Sequence, residues 1–270
     1  MQYSRGSKFI VTVRPKLAPA SVTTAYEAND MLFGWTGFSF PKYPFAAKLI
    51  GLTMTAQSAD VVAQTTNDVT NIFFAQPNPD GTAPPALGPE HGALPTIPLD
   101  GTPIRNYLGR VDTKATDDDD LLPYASFLSL PNGVDVADAL NLHDAMILGA
   151  EKNSISETAE GGRLFIAART EGTPIFGTAV ALHCDVSVAA TTSATTLTVK
   201  TKDPRKVFSI GDTIHAADGA EVGVLTGFGD AAGANKNTLL QFAGGIKEKL
   251  LDDDELINLQ PITIRLMFEA

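Results

Sequence analysis

PITIRLMFEA, residues Pro261 to Ala270, alternates with period two: Ile262, Ile264, Leu266 and Phe268 share one face, and Thr263, Arg265 and Met267 share the other. A helix would need apolar positions three and four apart, so this stretch reads as a half-buried β-strand. Upstream, short apolar runs rich in β-branched and aromatic residues recur between clusters of Pro, Gly, Asn and Asp, the pattern of an all-β sandwich or barrel. The candidate strands are Phe9 to Val13, Met31 to Phe33, Lys48 to Ala56, Asn71 to Ala75, Ala125 to Leu130, Arg163 to Ala168 and Ala179 to Val188, followed by Thr195 to Thr201, Thr213 to His215, Glu221 to Phe228, Thr238 to Phe242, Glu255 to Asn258 and Ile262 to Glu269.

Composition agrees with that class. The 270 residues are 44% hydrophobic and only 19% charged, with 23 Gly and 17 Pro, a turn-rich makeup with enough apolar side chains for a sizeable core. Between about Ala189 and Leu259 the strands shorten and are punctuated by SIGD, ADGA, GAN and AGG. This suits a small β-barrel. The expected organisation is an all-β chain with a jelly-roll-like β-sandwich over residues 1–188 plus 260–270, and a smaller β-barrel domain over 189–259, inserted before the C-terminal strand. Insertion at a surface loop costs little entropy.

Two stretches resist a strand reading. Residues 76–104 hold too many prolines for a central strand or helix and are expected to form a long irregular excursion carrying His91, a solvated loop histidine on this reading. Val134 to Lys152 reads as a helix with Val136, Leu140, His143 and Ile147 on one stripe, His143 then being a hydrogen-bonded core residue. It reads equally as a turn followed by a strand over Ala145 to Leu148.

Charge narrows the function. The net charge of −11 opposes binding to nucleic acid, whose affinity comes from clustered Lys and Arg against phosphates. The single cysteine, Cys184, excludes an intrachain disulfide framework and a Cys-based zinc cluster, and its VALHCDVSV flanks read as a strand with a small buried side chain. The N-terminus shows no secretory signal and no run of about eighteen apolar residues occurs. A soluble chain made in a cytoplasm, with no membrane contact, is the expectation.

Catalytic motifs are not evident. Gly227 to Gly233 is one residue too long for a dinucleotide fingerprint, and P-loop, GxSxG, HExxH and CxxC patterns do not occur. His91, His143, His183 and His215 lack ligand spacing. The acidic runs Asp117 to Asp120 and Asp252 to Glu255 could offer oxygens to calcium, but the EF-hand pattern is missing, and solvated carboxylates are the plainer reading. No enzymatic activity, no cofactor and no metal are expected.

One cationic segment stands out. Lys200, Lys202, Arg205 and Lys206 lie within seven residues of an acidic chain. They read as a solvated hairpin mouth or as a docking patch for an acidic protein surface, to which Arg5 and Lys8 of the N-terminal arm could add.

The stretch GWTGFSFPKYPFAAKLIGLTMTAQSADV, leading into NIFFAQ, resembles the opening of virion structural proteins of tailed bacteriophages, particularly marine ones, and PITIRLMFEA resembles the closing strand of such a domain. DPRKVFSIGDTI, GAEVGVLTGF and NTLLQFAGGIKEKLLDDDELINL resemble the small β-barrel modules of phage head and tail proteins. The resemblance covers about half the chain. It implies a capsid decoration, or cement, protein on the outside of the virion, made in the host bacterial cytoplasm. Its partner would be the major capsid protein, and it would form a homo-oligomer with a trimer favoured. The 76–104 excursion or the first eight residues would reach across a subunit boundary and be mobile in isolation. A tail, baseplate or receptor-binding component and a carbohydrate-binding β-sandwich module using Trp35 are the competing readings.

Overall fold

The computed structural model describes residues 8–19, 26–39, 46–56, 70–78, 80–90, 106–112, 125–129, 147–149, 163–173, 183–186, 189–200, 204–230 and 238–269. Its strands, in chain order, begin with β1 (Lys8–Val13), β2 (Met31–Ser39), β3 (Ala46–Ala56), β4 (Thr70–Ala75), β5 (Tyr107–Asp112), β6 (Ala125–Ser129), β7 (Ile147–Gly149) and β8 (Arg163–Thr170). They continue with β9 (His183–Val186), β10 (Thr196–Lys200), β11 (Thr213–Ala216), β12 (Glu221–Asp230), β13 (Thr238–Phe242), β14 (Glu255–Asn258) and β15 (Ile262–Glu269). Among the described residues all the ladders are antiparallel and form three sheets, an all-β arrangement.

The first sheet has the order β1-β15-β3-β6, with β7 also on β3, and the second the order β2-β8-β4-β5. β15 runs between β1 and β3, and Ile262, Ile264, Leu266 and Phe268 are all fully buried. They meet Leu49, Leu52 and Met54 of β3 and, from the second sheet, Phe38, Ile72, Phe74, Leu164 and Ile166 in one cluster. Two sheets therefore face each other across a shared core, each strand sending alternate residues inward. β4 departs from alternation: TNIFFA is buried at all six positions. On its second face Phe73 clusters with Met31 of β2, Ala167 of β8 and Leu87 from outside the sheet, with Trp35 and Tyr107 packed alongside.

Leu87 belongs to the Pro-rich excursion. Residues 76–78 and 80–90 fold back on the second sheet of their own chain. Gln76 N–H donates to Asn106 O at 2.7 Å, Asn106 Nδ2 donates to Asn78 Oδ1 at 2.7 Å, and Trp35 Nε1 donates to Pro85 O at 2.9 Å. Gly34 N–H reaches Glu90 Oε1 at 3.2 Å, beside a bridge between Met31 and Glu90. The expected reaching arm is, over this portion, a strap that buries the outer face of β4; residues 91–104 lie outside the described residues.

The third sheet closes on itself in the order β10-β13-β12-β11-β14-β9, around Val186, Leu197, Val199, Phe208, Ile214, Leu225, Leu240, Phe242 and Leu256. β9, which the sequence reading placed with the larger unit, closes this barrel by pairing with both β10 and β14. Gly245 marks a tight point of its wall. Its φ is +74°, and a Cβ there would stand 2.6 Å from the Ser193 carbonyl oxygen, so only glycine fits.

Of the two readings of Val134 to Lys152, helix or turn and strand, the strand is the one found where the chain is described. Ile147–Gly149 is strand β7, paired with Ala46, Ala47 and Lys48. A sheet edge satisfies these backbone groups and overrides the 3.6-residue stripe. The rest of that stretch, His143 included, lies outside the described residues. So does the Asp117 to Asp120 run. Among the described residues no helix is long and apolar enough to cross a membrane.

Candidate interaction surface

The cationic segment and the second acidic run, some fifty residues apart in sequence, meet in space. β9 pairs with both β10 and β14, so the end of β10 lies beside the 251–254 turn that leads into β14. Val186 N–H donates to Asp254 O at 2.9 Å, and Asp253 N–H donates to Val186 O at 3.0 Å. Leu251 N–H donates to Asp254 Oδ2 at 2.7 Å, and Asp253 holds φ +69°, a conformation aspartate tolerates in turns. From this turn Asp252 Oδ1 accepts from Lys200 Nζ at 2.8 Å, and Asp253 pairs with the same ammonium. Asp252, then Asp253, hold the Lys200 ammonium well above its ordinary range, and Lys200 in turn lowers Asp252. The acidic run is thus a turn that neutralises its own lysine.

Arg205 sits in the 3-10 turn Pro204–Lys206, with Nη2 at 3.3 Å from Asp230 Oδ1 and its guanidinium 5.8 Å from the Phe228 ring centroid. Lys206 shares that turn. Lys8 opens β1, exposed and opposite Glu269 in register. Lys202 and Arg5 lie outside the described residues, as does His91. The geometry joins Lys200 and Arg205 to carboxylates of the same barrel, and it does not bring Lys8 to them.

Sequence reasoning missed a polar joint where the chain leaving β1 passes the barrel. Asp212, with no exposed surface, accepts from Ser209 N–H at 2.9 Å and Asn258 Nδ2 at 3.1 Å on Oδ2, while Oδ1 faces Arg14 Nη1 at 2.5 Å. Arg14 Nη2 donates to Gln260 O and Gln260 Nε2 donates back to Arg14 O, both at 3.1 Å. Leu17 N–H donates to Leu259 O at 2.7 Å. His215, three residues beyond Asp212, is 3% exposed, and its Nδ1 has no hydrogen-bond partner. Burial, then the Lys16 ammonium, push its ring below the ordinary imidazole range, against Glu221 and a backbone bond at Thr213. The one sequence signal was the serine-x-x-aspartate of SIGD, a local side-chain-to-backbone turn.

A pocket of about 260 Å³ lies beside the β11–β12 turn, and its lining includes Asp218, Glu248, Lys249, Asp254 and Glu255. Asp218 Oδ1 already accepts from Ala220 N–H, as Asp254 does from Leu251, so two of its carboxylates are spent on turns. Among the described residues no group of His, Cys, Asp and Glu is arranged to hold a metal ion. Cys184 lies in β9, opposite Leu256 in register.

One outward feature remains at the edge of the first sheet. β1 pairs with β15 on one side and, among the described residues, with no strand on the other. Phe9 and Val11 pack toward the core, whereas Lys8, Ile10 and Thr12 face outward, and Ile10 is 61% exposed.

No protein-family model, no curated protein and no solved structure matches this chain.

Proposed function

We propose that this chain is a structural protein of a tailed-phage particle, a decoration protein that binds the major capsid protein from outside the shell and cements neighbouring capsomers without catalysing a reaction. The finer architecture we read as a jelly-roll-like sandwich with the barrel spliced between β8 and β15. The observation that carries the reading is the edge of β1. An edge that pairs with no strand among the described residues and carries an exposed isoleucine is a template for strand pairing with a neighbouring chain, whereas Lys200, Arg205 and Lys247 of the barrel are each paired with carboxylates of the barrel itself. An acidic partner competing for Lys200 and Arg205 would have to displace Asp252, Asp253 and Asp230, so charge alone is a poor docking force here.

A protein that binds the assembled lattice and not its separated subunits stabilises the shell by mass action. Purified protein added to shells stripped of their decoration should co-sediment with them and raise their rupture temperature. Ile10→Lys should weaken that binding while leaving the melting temperature of the free protein nearly unchanged, because the side chain is already in water. Shells that rupture at the same temperature with and without saturating protein, and that do not carry it into the pellet, would remove the reading. A closed oligomer, with a trimer favoured, fits the same role and is checked by sedimentation equilibrium.

A further inference from the structure

We propose that His215 makes the joint between the barrel and residues 14–19 acid-sensitive, so that protonating its ring loosens that segment from the barrel while the sheets stay folded. The inference rests on the joint alone and stands apart from the virion reading.

Placement comes first. Ile214 points into the barrel core, so His215, the next residue on β11, points outward. Outward here does not mean toward water. His215 pairs in register with Ile257, which belongs to the core shared by the first two sheets. The ring is therefore trapped on the flank of the barrel where the chain leaving β1 covers it. Arg14 reaches Asp212, Leu17 is 2% exposed and tied to Leu259, and Pro19 lies so close to the β11–β12 turn that a methyl group on Gly219 would meet its ring at 2.7 Å.

The charged groups around the ring oppose a second positive charge. Lys16 comes from the covering segment, and Glu221 stands opposite His215 in the β11–β12 register. Glu221 would be the natural counter-ion, but its carboxylate already accepts from Lys247 Nζ at 2.6 Å. The Arg14–Asp212 pair, on the same flank, is internally compensated. A proton arriving on His215 thus meets a buried site with Lys16 close by, and hydration of the ring is the way to relieve it. The element that can yield is the 14–19 segment, held by a few side-chain bonds and one Leu17 backbone bond, whereas β11 has ladders on both sides.

Hydrogen exchange read by mass spectrometry on the full-length protein between pH 7.5 and 5 tests this, with β15 as internal reference after correction for intrinsic rates. Wild type should show the 14–19 peptides opening more readily as the pH falls below about 6.5, by at most about tenfold per pH unit for a single proton, while β15 stays protected. Lys16→Gln should leave that onset in place but shrink the acid-dependent gain in opening, since without the repelling charge the closed state holds the proton more readily, and His215→Asn should abolish the acid-dependent part. The proposal is overturned if wild type and His215→Asn open with the same pH dependence, if β15 loses protection in step with the segment, or if Lys16→Gln leaves the size of the acid-dependent gain as it was. Should His215→Asn fail to fold, the smaller acid-dependent gain in Lys16→Gln decides alone.

Discussion

Asp212 carries a charge with no access to solvent, and its three contacts set what each substitution costs. Arg14→Ala leaves that carboxylate with the Ser209 amide and the Asn258 side chain alone. Breaking a buried pair from one side typically costs 3–5 kcal/mol, and because the Arg14 side chain keeps 29% of its surface in water the expected loss is about 3 kcal/mol in urea unfolding. The double change Arg14→Met with Asp212→Asn should cost less than Arg14→Ala alone, since no charge is left stranded; a double variant as unstable as the sum of the two single changes would mean that the two side chains are not coupled. His215 works in the same direction with pH. Its folded-state value lies below the unfolded 6.5, so the unfolded chain binds the proton more readily, and stability present above that pH is lost progressively below it. None of this was legible from SIGD or from Arg14 separately. The two partners of the joint, Arg14 and Gln260, are 246 residues apart, and only the register of β15 between β1 and β3 brings them together.

Strands of period two were the legible elements. β15, β10 and β12 lie where alternation put them, whereas β5 was missed because YLGRVD sets Gly109, Arg110 and Asp112 among its apolar positions, and β2 was cut short at Phe33 because Gly34 and Gly37 interrupt the run. The bulges between Met31 and Phe33 and between Phe33 and Thr36 are what carry β2 on to Ser39. β4 was found, but not the reason for its unbroken burial, since a Pro-rich loop gives no periodic sign of what it covers. That cover is testable. Leu87 is 7% exposed against Met31, Phe73 and Ala167, and Leu87→Ala should cost about 2 kcal/mol, the low end for a core truncation because the strap can settle into the space. Protease nicking between residues 80 and 90 should become faster in the same variant. A strap that stays as resistant as in wild type would show that Trp35 and Glu90, rather than the leucine, hold it down.

At the scale of the whole molecule the apolar residues fall into two large clusters, one shared by the first and second sheets and one inside the barrel, with Leu256 in the barrel cluster and Ile257, its neighbour on β14, in the other. β14 is thus a common wall, and the Arg14, Gln260 and Leu17 bonds stitch the same seam. Cooperativity between the two bodies should come from this seam, because few other contacts among the described residues join them, and stability need not be uniform across such a structure. Leu240→Ala, fully buried in the barrel and remote from the seam, should cost about 2–5 kcal/mol and let amides of β10, β12 and β13 exchange through an opening that leaves β15 and β3 protected. Adding Arg14→Ala should widen the difference between the two sets, since the tie between them is weakened. If Leu240→Ala lowers the protection of β15 as much as that of β12, the seam is strong enough to make one cooperative unit of all three sheets, and the barrel cannot move on the sandwich without unfolding it.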